Sequence, residues 1–213
     1  MIRRTARHAM VVLTLLAAVT PARAQAPPFA TLWGSQGSGL SQFNFAHHLA
    51  LSPTGDVYVG DLLNDRVQQF TSGGAYIRQW PVTGADGVAV GPDSAVFVVG
   101  VNQVRKFSAS GALLLSFGTP GVGLGQLENP IDVAVDVDGN IYVAEMGNHR
   151  VQKFDPTGAS MGWFGSEGSG DGEFEFPFGV TVGPDGYVYV ADVQTHRIQK
   201  FTADGDFVLG WGT

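Results

Sequence analysis

Five aromatic residues at a near-constant spacing constrain this chain more than any other feature. Trp33, Trp80, Phe117, Phe164 and Trp211 stand 47, 37, 47 and 47 residues apart, and all but Trp80 are followed directly by glycine. Upstream of the last four lie "VYVGD", "VFVVG", "IYVAE" and "VYVAD", and after them "RVQQF", "QVRKF", "RVQKF" and "RIQKF". One unit is written four times. Each copy reads as four short strands. The first lies near "HLALS", "GVAVG", "DVAVD" or "GVTVG", and a turn follows at Thr54-Gly55, Asp93-Ser94, Asp138-Gly139 or Asp185-Gly186. Such pairs tolerate the positive φ of tight hairpins. The second strand carries Tyr58, Phe97, Tyr142 or Tyr189, the third ends at Phe70, Phe107, Phe154 or Phe201, and the fourth ends near the spaced aromatic. Alternating apolar and polar positions suit sheets stacked face to face. Four strands in a unit of about 40–50 residues make a β-propeller blade. The chain is therefore expected to be all-β, with four-stranded antiparallel blades at about 34–80, 81–118, 119–165 and 166–213.

The ends and the composition narrow the setting. Arg3, Arg4 and Arg7 precede the apolar run "MVVLTLLAAV", and "PARA" closes residues 1–24 with a small-x-small cleavage pattern, so these residues read as a signal peptide. The run falls short of the about 17–25 apolar residues that span a bilayer, so no stable membrane insertion is expected after cleavage. Without Arg3, Arg4, Arg7 and Arg23, eight basic residues face nineteen acidic ones, a net charge of −11. Such a surface repels phosphate backbones and argues against nucleic acid as a partner. No cysteine is present, which excludes disulfides and thiolate-bound metals. Thirty glycines accompany high apolar content, the mark of many short strands and not of disorder.

The stretch "FGSEGSGDGEFEFPFGVTVGPDGYVYVADVQTHRIQKFTADGDFVLGWG" resembles the NHL repeat nearly end to end, and "NHR" at residues 148–150 supplies a core like the one that names the family. Four matches in register extend the resemblance over the whole chain after residue 24. The resemblance implies a six-bladed ring. Counted against that ring, "FATLW" at 29–33 is a spare N-terminal outer strand, four complete blades follow, and the chain stops two residues after Trp211. About 85 residues of a six-bladed ring are then expected beyond Thr213, judged from the repeat length, and the open arc is expected to expose an apolar blade face.

"VAEMGNHRVQKF" at 143–154 gathers Glu145, His149 and Arg150 as a small acid–base site would. The repeat argues otherwise. Asp61 with Arg66, Glu145 with Arg150, and Asp192 with Arg197 keep the same spacing, while the second unit has Gly100 and Gln103 at these positions. A pair kept or lost together is expected to be a structural ion pair, because a lone charge at a partly buried site is costly. His149 corresponds to Asp65, Asn102 and His196, so it is not unique either. "DVDGN" at 136–140 begins like a calcium loop but lacks the later ligands and reads as a hairpin turn. "GSEGSGDGEF" at 165–174 lacks the Gly-Lys-Ser/Thr ending of a phosphate loop and matches "GSQGSGLSQF" and "GTPGVGLGQL" as a connection between blades. No serine sits in a nucleophile elbow.

Positions that differ between units are better candidates for binding. At the start of the inner strand these are His47, Asp86, Ile131 and Phe178, followed by His48, Gly87, Asp132 and Gly179. Inner strands line a propeller's channel, so one mouth is expected to carry His47, His48, Asp86 and Asp132 as a binding site. No catalytic residue and no protein-bound metal is assigned. No cofactor is expected, with a channel-bound divalent cation as the one alternative. The family resemblance implies a secreted or periplasmic binding or scaffold module for protein, peptide or glycan. The alternative is a propeller enzyme. "FNFAHHLAL" resembles a segment of peptidyl-amidoglycolate lyases, which would make His47 a zinc ligand, but Ile131 and Phe178 stand where further histidines are needed. A metal-dependent lactonase would instead use Asp86 and Asp132.

Overall fold

The computed structural model describes residues 32–212. The expected signal peptide at 1–24 and the first part of the expected 29–33 strand lie outside them. Four antiparallel four-stranded sheets follow one another, each in simple up-and-down order. Blade I comprises Leu49–Leu51, Val57–Asp61, Arg66–Phe70 and Tyr76–Pro81. Blade II comprises Val88–Val90, Val96–Gly100, Gln103–Phe107 and Leu113–Phe117. Blade III comprises Pro130–Val135, Ile141–Glu145, Arg150–Phe154 and Ser160–Phe164. Blade IV comprises Pro177–Val182, Val188–Asp192, Arg197–Phe201 and Phe207–Gly212. The only helix among the described residues is a single 3-10 turn at Leu62–Asn64. No helix among them is long and apolar enough to cross a membrane.

Local chemistry explains the hairpins. The first turn of each blade places its last residue at positive φ, with Gly55 at 90°, Ser94 at 62°, Gly139 at 84° and Gly186 at 78°. The position between the second and third strands is also left-handed, with Asp65 at 51°, Asn102 at 57°, His149 at 53° and His196 at 54°. Asp, Asn and His are the non-glycine residues that tolerate this region best. His149 is thus a turn residue.

The core lies between blades. Tyr58, Val67 and Trp80 of blade I pack on Val88, Val98 and Phe107 of blade II. Equivalent clusters join blade II to III and blade III to IV. Each contact ends in one device: the aromatic from one unit lies over a glycine in the third-to-fourth-strand turn of the next. A Cβ would come within 2.7 Å of Trp33 at Gly74, 2.8 Å of Trp80 at Gly111, 2.6 Å of Phe117 at Gly158 and 2.7 Å of Phe164 at Gly205. Only glycine leaves room for the ring.

Leu32 and Trp33 lie outside any strand, so the described part of the expected spare strand is not one. It still takes the seat of a preceding blade's aromatic, with its ring 6.4 Å from Phe70. Trp211, at the other end of the series, is 45 % exposed beside Ile198 at 37 % and Val193 at 54 %. On blade I, Leu49 and Leu51 are likewise exposed, at 64 % and 63 %. The faces of blades I and IV are therefore not packed together, although their channel-mouth residues meet.

Candidate functional site

The acid–arginine positions form a repeated scaffold in two blades. Arg66 Nε donates to Asp61 at 2.7 Å, and Arg150 Nε donates to Glu145 at 2.7 Å. Both carboxylates are fully buried. The rest of each guanidinium holds the connection leading into its own blade. Arg66 donates to the carbonyls of Ser38, Gly39 and Gln42, and Arg150 to those of Val122, Gly123 and Gln126. Gln68 and Gln152 add bonds to the same connections. These contacts tie ten-residue loops to the blades, and every member is satisfied by a neighbour. The cluster that looked like an acid–base site is a clamp.

Blade IV corrects one expectation. Arg197 grips Ser169, Gly170 and Glu173 in the same way, but no ion pair joins it to Asp192. Asp192 instead accepts from the backbone N–H groups of Glu175 and Phe176, at 2.9 and 2.8 Å. Two substitutions account for the change. Asn64 and Asn148 donate to the carboxylates in blades I and III, whereas blade IV has Thr195 there. Trp163 covers Arg150 at 4.4 Å and Gln79 bonds Arg66, whereas Gly210 holds that place beside Arg197. Thr195 Oγ1 and Arg197 Nε are left buried without partners. Thr195→Asn is therefore expected to stabilise the protein by about 1 kcal/mol, the net worth of a restored buried hydrogen bond. Urea denaturation checks this, and an unchanged midpoint would remove asparagine from the account of the clamp.

Blade II lacks the clamp because it lacks the loop. Its connection is ten residues shorter, as the 37-residue spacing requires, and the carbonyl of Gly84 runs directly over Gly100. Arg105 stands where the other blades have glutamine and donates to the Thr83 carbonyl of this short connection. The turn positions of blades I, II and III reach forward. Asp65 accepts from Gly84 N, Asn102 from Asn129 N, and His149 Nδ1 donates to the Glu175 carbonyl. The "DVDGN" stretch is a turn in which Asp136 accepts from the N–H groups of Asp138 and Asn140.

Repetition does not explain the channel mouth. The inner strands surround a channel of about 380 Å³ lined by Leu49, Val88, Val133 and Val180, among others. At one end His47 Nε2 and His48 Nδ1 each lie 3.4 Å from Asp86 Oδ1, and His48 Nε2 lies 3.9 Å from Asp132 Oδ1. The four residues named from the sequence are thus neighbours. His47 and His48 are adjacent in sequence, and an extended strand would send them to opposite faces. Phe45 at φ 65° precedes them, and their Nδ1 atoms come within 2.8 Å. Gly60 brings Asp86 in, because any side chain there would collide with the Asp86 carbonyl. Gly87 likewise lets the backbone of Asp132 approach to within 2.5 Å of where a Cβ would stand.

Burial dominates the electrostatics of this mouth. It pushes the Asp132 carboxyl up to about 6, against the pull of His48 and of the N–H groups of Val180 and Val133. Burial also lowers His47, only partly offset by Asp86. Burial lowers His48 as well, but the Asp86 carboxylate beside its ring and the charge of Asp132 outweigh that burial and raise it. Phe178 of blade IV closes the far side, stacked 5.7 Å from His48, and Phe45 stands edge-on to His47 at 5.0 Å. Phe45 is 61 % exposed.

The NHL repeat model matches residues 127–154 and 174–201. Each match runs from the last residue of a connection, Leu127 or Phe174, to the third-strand Phe154 or Phe201. No curated protein matches the sequence. Among solved structures, a streptogramin B lyase is similar with a TM-score of 0.64 and 17 % identity, covering 78 % of this chain and 54 % of its own. A catalytically inactive virginiamycin B lyase from Staphylococcus aureus with quinupristin gives 0.63 and 16 %, covering 79 % and 55 %. A nidogen/laminin complex gives 0.61 and 15 %, covering 80 % and 65 %. The chain spans about half the length of the lyases it matches. At these identities the likeness is one of fold. With its four antiparallel blades and its matched segments at 127–154 and 174–201, the chain is a β-propeller that carries NHL repeats in blades III and IV.

Proposed function

We propose that this propeller is a secreted or periplasmic binding module, and that its channel-mouth face takes a protein, peptide or glycan ligand. One observation carries this reading: Phe45, His47, His48, Asp86 and Phe178 form an aromatic and polar face that the blade pattern does not require. Exposed aromatic rings beside hydrogen-bonding groups are the usual anchors of binding surfaces. The nidogen/laminin structure gives the fold a precedent in a protein complex. Export is supported by the leader pattern of residues 1–24. The enzyme alternative draws on two fold neighbours described as lyases, at identities that carry no chemistry across.

Peptide and glycan arrays probed with the exported protein test the reading. Ligands found there should bind Phe45→Ala at least about tenfold more weakly, the loss of one hot-spot side chain. Undiminished binding by a folded Phe45→Ala variant would move the ligand face elsewhere. Conversion of a bound ligand to product would put the enzyme reading in place of this one. An N-terminus at Gln25 in the exported protein is expected, and an intact Met1 would remove the secretory part.

A further inference from the structure

We infer that His47 Nε2, His48 Nδ1 and Asp86 Oδ1 form a site for one divalent transition-metal ion of the zinc class. Three ligand atoms, one from each residue, lie within 4.8 Å of one another. Both nitrogens stand 3.4 Å from the same carboxylate oxygen. In a tetrahedral zinc site with bonds of about 2.0–2.1 Å, neighbouring ligand atoms are about 3.3–3.4 Å apart. The two distances to Asp86 match edges of that tetrahedron, and the third pair lies within 4.8 Å. Two imidazoles and a carboxylate suit zinc or a similar ion, whereas calcium and magnesium prefer oxygen alone.

An independent observation points the same way. Asp86 Oδ1 is buried, and no donor reaches it in hydrogen-bonding geometry, since its nearest polar neighbours are the two imidazole nitrogens at 3.4 Å. A carboxylate oxygen removed from water without a donor is costly, and a bound cation would offset that cost. The backbone holds the aspartate in place, since Asp86 N donates to Val99 O at 3.1 Å and Gly60 admits the Asp86 carbonyl. Behind His48, Asp132 is fixed by the N–H groups of Val133 and Val180, with Oδ1 3.9 Å from Nε2. That is where metal-bound histidines usually have a second carboxylate. On binding, His48 Nδ1 exchanges its hydrogen bond with His47 for the ion, and any proton it carries is released to solvent. His47 is the most exposed ligand, with 27 % of its side chain accessible, so the fourth position faces the open mouth. The site goes beyond the binding-module reading and does not depend on a macromolecular ligand.

The test uses the full chain stripped with EDTA and titrated with zinc, and separately with cobalt(II), by calorimetry and visible absorption. One equivalent should bind, with the intense d–d bands of low-coordinate cobalt. His47→Ala and Asp86→Asn should each weaken binding by about 100-fold or more, the scale of losing a ligand where even outer-shell losses cost 10–100-fold. His196→Ala, in blade IV away from the mouth, should bind as the parent does. Carbethoxylation of the unaltered chain needs no variant, and zinc should protect both His47 and His48. The inference is overturned by no binding at 0.1 mM zinc, on the order of the weakest specific metal sites. It is also overturned by binding that survives in both variants, by equal affinity for calcium, or by unprotected histidines. Array binding that persists without zinc would leave the binding-module reading standing while the metal titration decides this one.

Discussion

Glu145→Ala and Arg150→Ala should each cost about 3–5 kcal/mol of stability, the scale for breaking one side of a buried ion pair. Glu145 is fully buried and accepts from Arg150, Asn148, Gln152 and the N–H of Glu128. Removing it strands four donors, one of them a charge that is only 4 % exposed. Removing Arg150 strands the carboxylate and also frees three carbonyls of the connection at 118–127. The Glu145→Ala, Arg150→Ala double variant leaves neither charge unpaired. It should therefore be more stable than the sum of the single losses predicts, by about 1–3 kcal/mol. Urea unfolding of the four proteins measures the coupling. Strict additivity would sink the ion-pair account of this motif.

The same clamp shows what could be read from sequence and what could not. The repeat, the four strands per blade and the hairpin turns were legible because period and turn chemistry are local. The grouping of His47, His48, Asp86 and Asp132 was legible because equivalent positions of a propeller's inner strands converge on one axis. The Asp192–Arg197 pair was misjudged. Its spacing is the same, but the contact depends on Asn148 or Asn64 and on the fourth strand's cover, which blade IV replaces with Thr195 and Gly210. The glutamines Gln68, Gln152 and Gln199 were overlooked as clamp residues. Their signal was present: a buried-strand position keeps a polar amide in three units and changes to Arg105 in the unit with the short connection. Gly60 and the orphaned Asp86 oxygen could not have been foreseen, since both arise where two blades approach.

Blade II gives the sharper test of whether the clamp belongs to the blade or to the loop. Judged against its copies, Gly100 and Gln103 look like defects, and Gly100→Asp with Gln103→Arg would be the consensus repair. It should fail. A Cβ on residue 100 would overlap the Gly84 carbonyl oxygen, which is backbone and cannot swing aside. That connection is held from both sides, by Asp65 on Gly84 N and by Arg105 on Thr83 O, so relief would require giving up contacts to two blades. The restored arginine would find no ten-residue loop whose carbonyls it could grip. Gly100→Asp alone should cost about 3 kcal/mol or more, as overlap and an unpaired charge at a packed position do. Gln103→Arg alone, at a half-buried edge, should change stability by less than about 1 kcal/mol. The double variant should stay as unstable as Gly100→Asp, because the pair has nothing to hold. A double variant as stable as the parent would show that the clamp serves the blade itself, and that the short connection is not the reason blade II lost it.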